Sequence, residues 1–183
     1  MDPTLTNVTP EDLSPTVGPY KAARLKGASL NRGASRQDYQ TPAALIIAIC
    51  KRLAIPTFTW DLAASAENKK AHFYYDEAAN SLIQDWDACG GWLWCNPPYD
   101  DIRPWVEKAA ATSESHIAML IPASAGANWW RDYVHHRAHV LFLNGRVPFM
   151  PDKPKWLYPK DTAILLYTPF IQQGAYEVWN WKV

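Results

Sequence analysis

The run "HIAMLIPA" (116–123) constrains the fold more than any other segment. It is almost continuously apolar, lacks the polar alternation of a half-exposed strand, and is far too short to cross a bilayer. Such a run reads as a strand covered on both faces, which requires helices on both sides of the sheet. The rest of the chain supplies them. "TPAALIIAICKRLA" (41–54) places Leu45, Ile46, Ile49 and Leu53 at helical spacing, with Thr41 as the cap and Pro42 in the first turn. "FTWDLA" (58–63) is β-prone, a short helix is expected near "AENKKAHFYY" (66–75), and "GWLWC" (91–95) is the next strand. "IRPWVEKAAATS" (102–113) and "NWWRDYVHH" (128–136, with Asn128 as cap) are expected helices. "AHVLFL", "TAILLYT" and "YEVWNW" complete the strands. The alternation predicts an α/β sheet, mostly parallel, and the last two strands, with no helix between them, predict a terminal antiparallel hairpin.

Residues 1–38 read differently. They are rich in Pro, Thr, Ser, Gly and Asn without an apolar period, and residues 13–37 carry Lys21, Arg24, Lys26, Arg32 and Arg36 but no acid. A flexible basic arm, suited to meeting phosphates or serving only as a solvated tail, is expected ahead of a single domain over 39–183. Overall, 18 basic residues balance 18 acidic ones, so global charge announces no partner and DNA binding would need a localised basic face. Ten tryptophans suit either flat ligands or dense packing. Cys50, Cys89 and Cys95 lack metal-ligand spacing, so free thiols, no metal and a reducing, cytoplasmic setting are expected; no signal peptide or membrane segment is evident.

"GWLWCNPPYDD" (91–101) carries the chemistry. An apolar strand runs directly into two prolines, neither of which can donate a backbone hydrogen bond. In open α/β sheets ligands sit beyond the carboxyl ends of strands, where Asn96 to Tyr99 would stand. The Asn96 side-chain oxygen and the Pro97 carbonyl, held on a stiff backbone, form two acceptors for the hydrogens of a planar amino group, and the Tyr99 ring could stack on its heterocycle. Pulling those hydrogens out of plane localises the nitrogen lone pair and prepares a direct attack on an electrophilic methyl.

With these residues the chain resembles the phage-type DNA adenine-N6 methyltransferases, amino-methyltransferases with an Asn-Pro-Pro-Tyr motif that use S-adenosylmethionine (AdoMet). The matching segments are "TP" (41–42), "DLAASAEN" (61–68), "LIQDW" (82–86), "WCNPPYDDIRPWVEKA" (94–109), "LIPA" (120–123) and "GRVPF" (145–149), in the family's order. The resemblance implies a Rossmann-like class I methyltransferase sheet, double-stranded DNA as partner and a flipped adenine as target. It implies that Asn96, Pro97, Pro98 and Tyr99 are catalytic, with Tyr99 also binding the base. Asp61, Ala63, Ala64 and Ser65 match the cofactor strand end, which in relatives reads Asp-Pro-Phe-x-Gly-x-Gly; Ala64 and Ser65 replace glycines here, and Asp61 would orient the cofactor's methionine end or be a helix cap. Thr41, Pro42 and Asn96 would line the cofactor pocket, Asn68 would lie near the ribose or be a surface amide, and Asp85 would accept from the cofactor's adenine amine or be a turn acid. Phe149 would close the base clamp opposite Tyr99 or be a core-packing residue, Arg146 would hold phosphate or base, and Lys108 would bind substrate or be a solvated helix residue. Trp105 reads as packing. Lys51, Arg52, Arg131, Arg137, Lys153 and Lys155 would supply phosphate contacts, and loops at 20–40 and 144–160 base recognition, for a monomeric enzyme in a restriction-modification setting. The same fork suits cytosine N4, RNA adenine or glutamine, and an inactive DNA-binding relative would keep the scaffold. A cytosine-carbon methylase would need Cys95 as nucleophile, without its usual Pro-Cys context.

Overall fold

The structure, a computed structural model, describes residues 40–150 and 157–182. The expected basic arm, Lys153 and Lys155 lie outside them. All described residues fall within one compact unit, Ser35–Val183.

The strands are β1 (Trp60–Asp61), β2 (Phe73–Tyr74), β3 (Trp92–Cys95), β4 (His116–Pro122), β5 (His139–Leu143), β6 (Thr162–Tyr167) and β7 (Tyr176–Trp179). They form one sheet in the order β2-β1-β3-β4-β6-β5-β7. The β1–β2, β1–β3, β3–β4 and β5–β7 pairs are parallel, and β6 is antiparallel to both β4 and β5. The helices are α1 (Ala43–Leu53), α2 (Arg103–Ala111) and α3 (Asn128–Tyr133).

As the run at 116–123 implied, alternate residues of β4 enter two cores. Ile117, Met119 and Ile121 pack with Val106 and Ala109 of α2 and Trp130 of α3. Ala118 and Leu120 pack with Leu45 and Ile49 of α1. Helices therefore cover both faces. Trp86, Trp94, Trp130 and Trp181 are buried, so these rings serve packing.

Four local expectations need correction. The terminal hairpin does not form: every residue of β6 is buried and both its edges are taken, by β4 and β5, so β7 pairs with the far edge of β5. "FYY" is not helical. Its first two residues form β2, and the preceding residues are turns. Thr41 does not cap α1, because Pro42 occupies that position with no side-chain cap bond. Asn128 is the first residue of α3 rather than its cap, which is Ala127.

The entry to β3 depends on glycine. Gly91 has φ +71°, and a Cβ there would meet Thr59 Cγ2 at 2.9 Å. Thr59 cannot easily retreat, since its hydroxyl donates to the carbonyls of Gly90 and Trp92 at 2.8 and 3.0 Å. Gly91→Ala is expected to cost about 1–2 kcal/mol from the left-handed backbone alone, read as a lower urea midpoint at unchanged m-value.

Candidate active site

A cleft of about 870 Å³ opens where three adjacent parallel strands end. Leu62, Ala63, Ala64 and Ser65 follow β1, Tyr75 to Ala78 follow β2, and Asn96 and Pro98 follow β3; Trp105 of α2 adds a further wall. After β1 the chain moves outward to β2, then crosses back to β3 on the other side of β1. This is the switch point at which open α/β sheets hold ligands, and the volume suits a small molecule.

The β1 loop is built around Asp61. Its carboxylate accepts the Lys70 N–H at 2.8 Å and the Ala63 N–H at 3.3 Å. Its backbone carbonyl accepts the Tyr75 N–H at 2.9 Å, and Ala64 N–H donates to Tyr75 O at 3.0 Å. Asn68 Oδ1 accepts the Ser65 N–H at 2.7 Å, so this amide closes the loop from within. Burial raises the Asp61 pKa to about 6, against the opposing pull of the two N–H donors and the Lys70 charge. Asp61 thus supports the cleft wall without lining it. The missing glycines also find a reason: residues 62–65 all have negative φ, so Ala64 and Ser65 meet no backbone demand that only glycine satisfies.

On the β3 side, Asn96 is half-buried, Pro97 buried and Pro98 exposed. The Tyr99 hydroxyl donates to Asn96 Oδ1 at 2.8 Å, orienting the carboxamide. The Tyr99 ring packs against both cores.

The remaining expected residues are placed less simply. Phe149 does not form a parallel clamp. It is 1% exposed, and its ring meets that of Tyr99 at 76° with centroids 6.3 Å apart, because Val147 and Phe149 of "GRVPF" both turn into the core. Perpendicular rings at that distance cannot sandwich a flat base. The Arg146 guanidinium engages the Tyr158 carbonyl and the Asp161 carboxylate, each at 3.3 Å. Lys108 donates to the carbonyls of Leu82 (2.9 Å) and Gln84 and lies over the Trp86 ring, tying α2 to the 3-10 turn Ser81–Ile83 rather than reaching toward substrate. Asp85 is exposed, outside the cleft wall, and accepts the Asp87 N–H at 3.0 Å. Thr41 is buried with no hydrogen-bond partner for its hydroxyl among the described residues, and neither it nor Pro42 is part of the cleft wall.

The expected phosphate contacts do not share one face. Lys51 and Arg52 belong to α1 on one side of the sheet, and Arg52 pairs with Glu177. Arg131 belongs to α3 on the other side and pairs with Asp132 at 2.7 Å. Arg137 borders a smaller cleft with Ser113 and Thr168, at the amino ends of β3 and β4, remote from Asn96.

Several cleft residues went unrecognised in the sequence: Tyr75, Asp76, Glu77 and, read as packing, Trp105. The available signal was "FYYDE", a β-prone triplet followed by acids, which is the pattern of a strand ending at a ligand site. All three cysteines are free; Cys95 is fully buried, which pushes its thiol pKa well up and removes it as a nucleophile. Among the described residues no cluster of metal-ligating side chains occurs, and no helix is long and apolar enough to cross a membrane.

An α/β sheet with a ligand-sized cleft at its switch point, and an Asn-Pro-Pro-Tyr turn in the wall, defines an α/β protein built to hold a small ligand. Within it, residues 29–173 match the DNA N-6-adenine-methyltransferase (Dam) family, and the chain belongs to that family. It is 29% identical over 97 residues to a DNA N-6-adenine-methyltransferase of Haemophilus phage HP1 (strain HP1c1), a match covering 51% of this chain and 55% of the relative. A second relative, the DNA N-6-adenine-methyltransferase of Escherichia phage T1, is 29% identical over 132 residues, 71% of this chain and 54% of its own length. The chain spans about half the length of the curated relatives it matches.

Proposed function

We propose that this protein methylates the N6 amine of adenine in DNA, with AdoMet as methyl donor, on a Rossmann-like class I methyltransferase sheet. The reading is carried by one observation: Asn96 and the β1 loop stand in the walls of the same cleft. When bound, AdoMet supplies a methyl carbon made electrophilic by its positively charged sulfur. The residues present suit such a group. The small side chains of Ala63, Ala64 and Ser65 leave the strand end open, and Asp76 and Glu77 offer carboxylates at the neighbouring strand end, where ribose hydroxyls are commonly held.

The turn then prepares the amine. Asn96 Oδ1 and the Pro97 carbonyl accept its two hydrogens and localise the lone pair, while Tyr99 stacks on the purine. No base of unusual pKa is needed, because the product ammonium releases its proton to water. Adenine must leave the duplex to reach the fork, at a cost of a few kcal/mol. Stacking on one aromatic face returns roughly 1–3 kcal/mol, and phosphate contacts supply the remainder. The basic arm is the proposed source of those contacts, since Arg52 and Arg131 are paired with acids and Arg137 lies at the far end of the sheet.

Expression in a methylation-deficient bacterium, followed by single-molecule sequencing of the genomic DNA, tests this reading. N6-methyladenine at a defined short sequence is expected. Unmodified DNA, or modification confined to cytosine, would overturn it.

A further inference from the structure

We propose that Tyr158 is a positioning residue that, together with Phe149, sets the plane of the Tyr99 ring. This rests on the reading of Tyr99 as the ring that stacks on the target base. The three rings form a closed triangle. Tyr158 lies 5.7 Å from Tyr99 at 60° and 5.5 Å from Phe149 at 88°, and Phe149 lies 6.3 Å from Tyr99 at 76°. Steeply inclined rings at these separations bring the positive edge of one toward the negative face of another, so a rotation of any ring loses favourable contacts with two neighbours.

Tyr99 is therefore held at both ends. Its hydroxyl is tied to Asn96 Oδ1 at 2.8 Å, and its ring leans on Phe149 and Tyr158, 50 and 59 positions away in the chain. Two neighbouring prolines already stiffen the backbone that carries it, but they leave the side-chain torsions open. The aromatic bracket closes them.

The bracket is itself tethered. The Tyr158 N–H donates to Val147 O at 3.1 Å, and its carbonyl accepts from Arg146 at 3.3 Å. Arg146 also pairs with Asp161 at 3.3 Å, and the Phe149 carbonyl accepts the Gln40 N–H at 3.3 Å. The "GRVPF" corner thus acquires a purpose unlike the one read from sequence. Arg146 pins the backbone of Tyr158, and Tyr158 and Phe149, only 5% and 1% exposed, act through Tyr99 rather than on the base.

The test uses the full chain labelled with 3-fluorotyrosine, with the Tyr99 resonance assigned from Tyr99→Phe. In the free protein Tyr158→Leu should shift and broaden that resonance, while Tyr158→Phe, which keeps the ring, should leave it near its wild-type position. On DNA carrying the sequence that the genomic sequencing identifies, Tyr158→Leu should lower kcat about tenfold with AdoMet affinity by calorimetry unchanged, and Tyr158→Phe should stay within about twofold. Phe149→Leu gives the same readout should Tyr158→Leu fail to fold. An unperturbed Tyr99 resonance in the leucine variant would overturn the inference, whatever the activity. So would a Tyr158→Phe variant as impaired as Tyr158→Leu, or a fall in AdoMet affinity that matches the fall in kcat. A wild-type protein that methylates nothing would instead refute the function proposed above, and the resonance would still report whether the bracket holds Tyr99.

Discussion

Replacing Asn96 by alanine is expected to lower kcat for methyl transfer by about 10²–10³-fold, the usual cost of removing one preorganised polar group from a site where charge develops. The change should leave the fold intact. Asn96 is half-buried at the end of β3, so truncation opens no core cavity, and Leu93 and Cys95 keep their packing. What disappears is the acceptor that draws out the amine hydrogens, together with the partner of the Tyr99 hydroxyl. Incorporation of labelled methyl into DNA measures the loss, and the far-UV circular dichroism spectrum checks the fold. Near-normal incorporation would refute the fork mechanism. Tyr99→Phe separates the two roles of that residue: it retains the ring and removes only the hydroxyl, so it should lose less than Tyr99→Ala. Calorimetric titration of the wild type with AdoMet distinguishes an enzyme from an inert relative with the same scaffold, since the latter would give no binding signal.

The second large effect is a pH dependence written into Asp61. Asp61 is 2% exposed, and burial raises its pKa from 3.8 to about 6. Between about pH 4 and pH 6 the native state therefore holds more protons at this site than the unfolded chain does. Stability contributed here is greatest below pH 4, falls as pH rises through that window, and is flat above it. That rise in pKa corresponds to roughly 3 kcal/mol. Asp61→Asn removes the titration. The stability difference, wild type minus variant, should thus decline by about 3 kcal/mol from pH 4 to pH 7 in urea melts. A pH-independent difference would show that Asp61 is not held in a poorly solvated environment. A carboxylate kept ionised at neutral pH despite this cost fits a residue that organises the β1 loop through the Lys70 and Ala63 amides.

Where the sequence misled, the cause was the same each time: a residue type was legible but its surroundings were not. Lys108 was visible as a cation one helix beyond the turn, but nothing local reveals that the carbonyls of Leu82 and Gln84, more than twenty residues earlier, converge on it. Phe149 was visible as an aromatic near the expected site. Its burial depends on α1, a helix far from it in the chain, which meets it in one core. β2 is two residues long, too short for a period of two to declare itself, so the acids that follow it were not recognised as the end of a strand. Asp85 fits a cofactor-facing acid by type, yet Asp76 and Glu77 line the cleft, because parallel pairing with β1 places the end of β2 beside it.

The sequence alone determined the strand at 116–123, the helices around it and the proline-stiffened turn after "GWLWC", since apolar period and proline stereochemistry act over a few neighbouring residues. Tertiary structure alone decided that β6 runs between β4 and β5, that Asp61 braces the cleft from behind, and that Tyr158 and Phe149 stand against Tyr99. Those outcomes depend on which distant surfaces exclude water together, and no local stretch of chain carries that information.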